Sequence, residues 1–327
     1  MVQIPLPPPY WLHDTRASLD KRGATRARLP PVSSLDHSQS QRLVPPRVAP
    51  AASQAIGVFD SGVGGLTVAR AVLARLPQEN LIYLGDTARV PYGSRSASTV
   101  LRYSRNAAKF LLQHQVKLIL IACNTASAAA LDVLSTELPV CVLGTVEPGA
   151  QAAAQVTRSG VVGVIGTLAT VRSQAYVRAL HAIDPKLTIH SAACPMLVPL
   201  VEEGWTAPAD PITELVVRRY LSELQTRAPE LDTLVLGCTH YPLLATQIAR
   251  ISLELWQHPV QLVDSAQVMA EAAAQRLSAA GLLQAAGSDV AESASRLRCF
   301  VTDEARVAEV GARFLGYDLG RIEVVDL

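Results

Sequence analysis

The chain has 327 residues, 49% of them hydrophobic and 17% charged, which supplies apolar side chains for two ordinary cores and excludes wholesale disorder. A formal net charge of +1 gives no reason to expect nucleic acid as the main partner, and no apolar run approaches the roughly 20 residues that cross a bilayer. Five cysteines at irregular spacing do not form a disulfide framework; with no secretion signal they are expected as reduced thiols in a cytoplasm.

Residues 1–54 stand apart. They hold 9 of the 21 prolines and seven Arg or Lys against three Asp, so this stretch carries +4 and the rest −3. No apolar periodicity survives so many prolines, and the segment reads as a disordered, mildly basic tail. The prolines after Ile4 also break any signal-peptide core. An idle tail or a mis-assigned start codon is the simplest account, and a partner-binding arm is the sharper one.

From Ile56 the pattern becomes strand and helix in alternation. Strands are predicted at Ile56–Phe59, Leu81–Leu84, Leu118–Ala122, Val140–Gly144, Val161–Ile165, Leu187–Ser191, Thr233–Gly237, Val260–Val263, Arg298–Val301 and Ile322–Val325. Helices are predicted at Leu66–Leu76, stopped by Pro77, and at Ser94–Gln113, with Val100, Leu101, Ala108, Leu111 and Leu112 on one stripe. Others fall at Ser173–Ile183, Ile212–Gln225, Leu243–Leu255 and Gln267–Ala280. This rhythm predicts an α/β fold with parallel sheets.

The chain also echoes itself. Gly57–Gly62 is matched by Gly163–Leu168, the loop from Asp86 to Pro91-Tyr92-Gly93 by that from Cys194 to Pro199 and Gly204, and Cys123 by Cys238. The offsets are 106, 108 and 115, as two similar α/β halves would give. The last pair carries the most chemistry. Leu118–Ala126 and Thr233–Pro242 are each an apolar strand ending in a cysteine, followed by small polar residues and a helical pattern. In an open α/β sheet the ligand crevice lies beyond the carboxyl ends of the strands.

Four strand-end motifs are candidate site elements. Asp60-Ser61-Gly62-Val63-Gly64-Gly65 opens a helix, where glycine admits a close backbone approach and the helix start favours an anion. A dinucleotide fingerprint fails because Thr67 stands where glycine is needed, and there is no Gly-Lys-Ser/Thr for a P-loop. Gly85-Asp86-Thr87 with Pro91-Tyr92-Gly93 is a donor-rich loop. Cys123-Asn124-Thr125 and Cys238-Thr239-His240 put a thiol at a helix start, a setting that lowers thiol pKa, and His240 is spaced to polarise Cys238. Zinc would want cysteines paired at short spacing, and a cysteine hydrolase has no use for a second matched thiol. Cys141 and Cys299 read as core residues and Cys194 as structural. Glu202 and Glu203 are expected to face the site.

These motifs, in this order, resemble glutamate racemase of the aspartate/glutamate racemase family. Glu147-Pro148-Gly149-Ala150 and Leu200–Gly204 strengthen the resemblance, which runs from about Ile56 to the C-terminus. It implies two pseudo-symmetric parallel-sheet α/β domains with the active site in the cleft between them: residues 55–149 plus 264–327 on the Cys123 side, and 150–263 on the Cys238 side. It implies no cofactor and no metal, and catalytic residues Cys123 and Cys238. Asp60, Glu202 and His240 would assist proton transfer. Asp60, Ser61, Tyr92, Gly93, Asn124, Thr125, Thr239 and His240 would bind substrate. The expected activity is conversion of L-glutamate to D-glutamate for peptidoglycan in a bacterial cytoplasm, by a homodimer. Rival readings are a racemase of aspartate or of a hydantoin, and a regulatory protein; some glutamate racemases are thought to restrain DNA gyrase, and only the basic tail points that way here.

Overall fold

The computed structural model describes residues 49–285 and 296–327. Residues 1–48, most of the expected tail, lie outside the described residues. Within them ten strands occur, each overlapping a sequence-predicted one: β1 Ile56–Asp60, β2 Leu81–Gly85, β3 Leu118–Ile121, β4 Cys141–Gly144, β5 Val161–Gly166, β6 Thr188–Ala193, β7 Thr233–Gly237, β8 Gln261–Asp264, β9 Leu297–Val301 and β10 Ile322–Val324. The described α-helices are α1 Leu66–Arg75, α2 Ala97–Gln113, α3 Asn124–Glu137, α4 Val146–Val156, α5 Leu168–Ser173, α6 Ala175–Ile183, α7 Leu197–Glu202, α8 Pro211–Arg227, α9 Ala245–Trp256, α10 Ser265–Ala279 and α11 Val307–Leu315.

The strands form two sheets, and every pairing in them is parallel. The first has six strands in the order β10-β9-β2-β1-β3-β4, the second four in the order β6-β5-β7-β8. Reading β5, β6, β7 and β8 as copies of β1, β2, β3 and β4 makes the second sheet repeat the β2-β1-β3-β4 part of the first strand for strand. The sequence offsets of 106 to 115 are therefore a structural duplication. Central strands β1, β3 and β7 are buried along their whole length, as strands covered by helices on both faces must be. A continuous core runs from Ile56, Leu66 and Val72 through Met269 and Leu277 to Leu234 and Ile251. Helix α10, which follows β8, returns to pack on α1, and the chain then adds β9 and β10 to the first sheet. Among the described residues no helix is long and apolar enough to cross a membrane.

Three sequence expectations change. The helix expected over Ser173–Ile183 is α6, and a short helix that was not expected, α5, precedes it, the two separated where Gln174 takes φ +55°. Cys141 is exposed rather than core, because β4 is the edge strand of its sheet and only part of it is covered. Helices α4, α7 and α11 were not expected. Each carries Pro or Gly inside it, at Pro148-Gly149, Pro199 and Gly311, residues that weaken helix patterns.

Candidate active site

The carboxyl ends of β1, β2, β3, β5 and β7 face one cleft of about 420 Å³, lined by Ser61, Tyr92, Gly93, Cys123, Asn124, Thr125, Glu202, Cys238, Thr239 and His240 together with Thr167, Leu168 and three prolines. Ten of the eleven residues predicted for the site line it. The eleventh, Asp60, lies buried at the end of β1 directly beneath.

On the first sheet's side, Cys123 caps α3, and its sulfur accepts a hydrogen bond from the Ala126 N–H at 3.5 Å. Its thiol donates to Ser61 Oγ at 3.4 Å. The sequence reading expected this helix start to favour the thiolate. Instead burial, with the charge of Asp60 added, pushes the Cys123 thiol up to about 12, against the smaller opposing pulls of Ser61 and Ala126. Cys123 therefore holds its proton. Burial also raises Asp60, although the charge of His240 and backbone N–H groups pull the other way. Asp60 Oδ2 accepts from the Gly62 N–H at 2.9 Å, while its Oδ1 has no partner among the described residues.

Asn124 is held by residues that its own motif does not contain. Its Oδ1 accepts from Tyr176 Oη at 2.7 Å and Thr145 Oγ1 at 3.1 Å. That fixes the amide and leaves Nδ2, buried and without a partner among the described residues, as a donor in a residue that lines the cleft. A Cβ on Gly149 would come within 3.0 Å of the Tyr176 ring, which is a reason for the glycine in Glu147-Pro148-Gly149.

On the second sheet's side, His240 Nδ1 lies 3.8 Å from Cys238 Sγ and 3.4 Å from Thr239 Oγ1, and Nε2 lies 2.9 Å from Glu202 Oε1. Burial disfavours the imidazolium, but the bonds to Cys238 and Glu202 outweigh it and raise His240 to about 10. A protonated ring donates to the Glu202 carboxylate from one side and stabilises a Cys238 thiolate from the other. The two cysteines thus sit in opposite surroundings. One is buried beside an acid and the other is paired with a cation.

The cleft lining repeats like the sheets. Ser61 is echoed by Thr167 and Gly62 by Leu168, Val90 and Pro91 by Val198 and Pro199, and Cys123-Asn124 by Cys238-Thr239. Thr167 was missed as a site residue although the 106-residue echo pointed to it. Its hydroxyl caps α5 and meets Thr125 Oγ1 at 2.9 Å, joining the two sides of the cleft.

The structure adds detail to the sequence reading at four places. In the Asp-Ser-Gly-Val-Gly-Gly turn, Ser61 and Gly62 line the cleft, while Gly64 faces protein: a Cβ there would stand 2.4 Å from Thr239 Oγ1 and 2.6 Å from the His240 ring, so the glycine lets the two cysteine-bearing halves meet. Glu203 turns away from the cleft and pairs with Arg306. Tyr92 lines the cleft, but its hydroxyl donates to Asp86, and burial, with the Asp86 charge and this bond added, raises its pKa far above the usual phenol value. Finally, α11 of the first half supports the dyad of the second. Phe314 packs edge-on against the His240 ring, centroids 4.9 Å apart, and Arg313 Nη1 donates to the Glu202 carbonyl at 2.7 Å.

Duplicated parallel-sheet halves with a cysteine from each in one cleft define a class of α/β enzyme, and comparison with known proteins identifies it. Residues 66–273 match the family described as Asp/Glu/Hydantoin racemase, and the chain belongs to that family. A glutamate racemase of Geobacter metallireducens is 49% identical over 275 residues, covering 84% of this chain and 97% of that protein. The glutamate racemase isoform RacE1 of Bacillus anthracis superposes with a TM-score of 0.76 at 38% identity, covering 84% of this chain and 98% of that one. That of Francisella tularensis, solved with D-glutamate, gives 0.75 at 35% identity, covering 84% and 98%.

Proposed function

We propose that this protein interconverts L- and D-glutamate, with Cys123 and Cys238 acting on opposite faces of the α-carbon. The observation that carries the reading is the pair of thiols from duplicated strands lining one cleft, one held as a thiol and the other facing an imidazolium. The glutamate racemases to which the chain is similar, and the D-glutamate bound in the Francisella tularensis enzyme, support glutamate as the substrate.

The Cys238 thiolate takes the α-proton of L-glutamate. The C–H electron pair stays on the α-carbon and its carboxylate, and the Cys123 thiol delivers its proton to the other face. The product is D-glutamate, with Cys238 now a thiol and Cys123 a thiolate; the reverse turnover, or proton exchange, resets the pair. Asn124 Nδ2 and the hydroxyls of Ser61, Thr125 and Thr239 supply neutral donors for the carboxylate as charge builds on it. His240 and Glu202 tune Cys238, and Asp60 tunes Cys123 and offers an unpartnered oxygen to the substrate ammonium. Exclusion of water by the apolar wall of Val90, Pro91, Val198 and Pro199 strengthens these interactions.

The reading extends to a division into a first domain of 55–149 plus 264–327 and a second of 150–263, supported by the addition of β9 and β10 to the first sheet. It extends also to D-glutamate supply for peptidoglycan in the cytoplasm, where five free cysteines stay reduced.

The test is incubation with L-glutamate in deuterated water, with L-aspartate in parallel. Early in the reaction deuterium enters the D-glutamate formed while the remaining L-glutamate keeps its hydrogen. Absence of D-glutamate, or equal early labelling of both enantiomers, overturns the two-thiol reading.

A further inference from the structure

The proposed site must take a substrate with two carboxylates, yet no lysine or arginine lines its cleft. The nearest such charges to appear in a cavity wall lie next door. A second cavity of about 330 Å³ adjoins the cleft, and the two share Gly93, Ser94, Thr125 and Leu168. Its wall includes Arg95 and Arg172, three serines and no acidic residue. Arg95 lies between the site loop and α2, and Arg172 lies in α5, so the pair spans the boundary between the two halves. Both are exposed, and neither is in an ion pair among the described residues, where eleven other arginine-to-carboxylate contacts occur. Two unpaired guanidinium groups in a concave, acid-free wall create a local positive potential. A compact anion passing from solvent towards Thr125 crosses that potential.

We propose that this cavity is an antechamber that recruits the dicarboxylate substrate, Arg95 and Arg172 attracting its distal carboxylate before the substrate moves into the neutral-donor cleft. The assignment rests on the glutamate reading for the identity of the anion. Within it there is a division of labour. The arginines govern capture, while a cleft free of guanidinium lets the reacting carboxylate be stabilised by aimed neutral donors and His240. A permanent cation beside the cysteines would also favour both thiolates together, which the two-thiol chemistry cannot use.

The experiment compares wild type with the Arg95→Gln/Arg172→Gln double variant and with Arg321→Gln, an exposed arginine elsewhere, as the net-charge control. Two readouts are taken at low and at near-physiological salt: steady-state racemisation of glutamate, and calorimetric binding of glutarate, a dicarboxylate with no stereocentre to invert. In the double variant KM for glutamate and Kd for glutarate rise on the order of fivefold at low salt. Its kcat is unchanged, the difference from wild type shrinks as salt screens the arginines, and Arg321→Gln behaves as wild type. Unchanged KM and glutarate affinity in the double variant overturn the antechamber, as does an equal effect from Arg321→Gln. If wild type fails to racemise glutamate, the functional reading falls, and the glutarate arm still decides whether the arginines capture dicarboxylates.

Discussion

His240 Nε2 lies 2.9 Å from Glu202 Oε1, while Nδ1 of the same ring lies 3.8 Å from Cys238 Sγ. The imidazole is thus strung between a carboxylate and a thiol. Cys123 has no counterpart to this dyad: its thiol donates to the neutral Ser61 hydroxyl, and its nearest acid, Asp60, opposes ionisation. The duplication that made the two strands alike has diverged at the residues around the sulfur, and the resting protein holds one thiol beside one imidazolium-paired sulfur.

Replacing either sulfur by a hydroxyl should then stop turnover. A serine hydroxyl is a far weaker acid than a thiol and cannot take the thiolate role. Cys123→Ser and Cys238→Ser should each lower kcat/KM by at least about 1000-fold, near the upper range of a positioned acid–base group. Both should keep the wild-type circular dichroism spectrum, because the change is one buried atom. Steady-state polarimetry with L- and D-glutamate measures it, and a retained tenth of wild-type activity in either variant would count against both roles.

The pH profile should report His240. Losing the His240 proton removes the cation that faces Cys238. Activity should fall as pH rises through about 10. Because the two enantiomers are equal in free energy, kcat/KM must fall equally from the L and D sides. His240→Asn should lose about 100-fold or more in kcat/KM and the limb near 10 with it. The stability sign follows from the raised folded-state pKa. The imidazolium stabilises the native state fully below about 6.5, the ordinary histidine value, and this contribution is lost as pH rises through about 10. The Tm advantage of wild type over His240→Asn should shrink between those limits in a thermal melt series.

Gly64 offers a purely geometric test. A methyl group there meets Thr239 Oγ1 and the His240 ring closer than real Cβ contacts occur. Gly64→Ala must push the Cys238 loop away from Cys123, although it changes no chemical group. A displacement of about 1 Å costs roughly 100-fold in rate, so kcat should fall on that order while the far-UV spectrum is kept. An unchanged kcat would mean that the two halves tolerate separation.

What the sequence made legible, and what it did not, divides along physical lines. Leu118–Ile121 and Thr233–Gly237 read correctly as strands because full burial on both faces leaves an unbroken apolar run. The strand-end residues read together because a parallel sheet delivers all its carboxyl ends to one edge. Tyr176 and Thr145 were invisible because they reach Asn124 from 52 and 21 positions away and belong to no motif. Cys141 was misread because which strand lies at a sheet edge is decided by pairing order, which no local window contains. The rise in Cys123 has the same origin. Capping is local and was read, while the burial that overrides it is tertiary.

The last prediction concerns α11, whose sequence carries no site motif. Arg313 donates from the first half to the Glu202 carbonyl in the second, and its neighbour Phe314 braces the His240 ring. Glu202 in turn fixes Nε2, so Arg313 acts on the chemistry only by positioning. Arg313→Gln keeps most of the stem and frees the carbonyl, and its surface ion pair with Glu309 contributes at most about 1 kcal/mol, so folding should persist. With Glu202 less well held, the imidazolium loses part of its support. The pH limb near 10 should move downward and kcat should fall on the order of tenfold, with KM little changed because Arg313 does not line the cleft. A merely structural role would lower Tm and leave the limb where it was. Measuring kcat against pH for Arg313→Gln beside Glu309→Gln, which breaks the same ion pair without touching Glu202, separates the two.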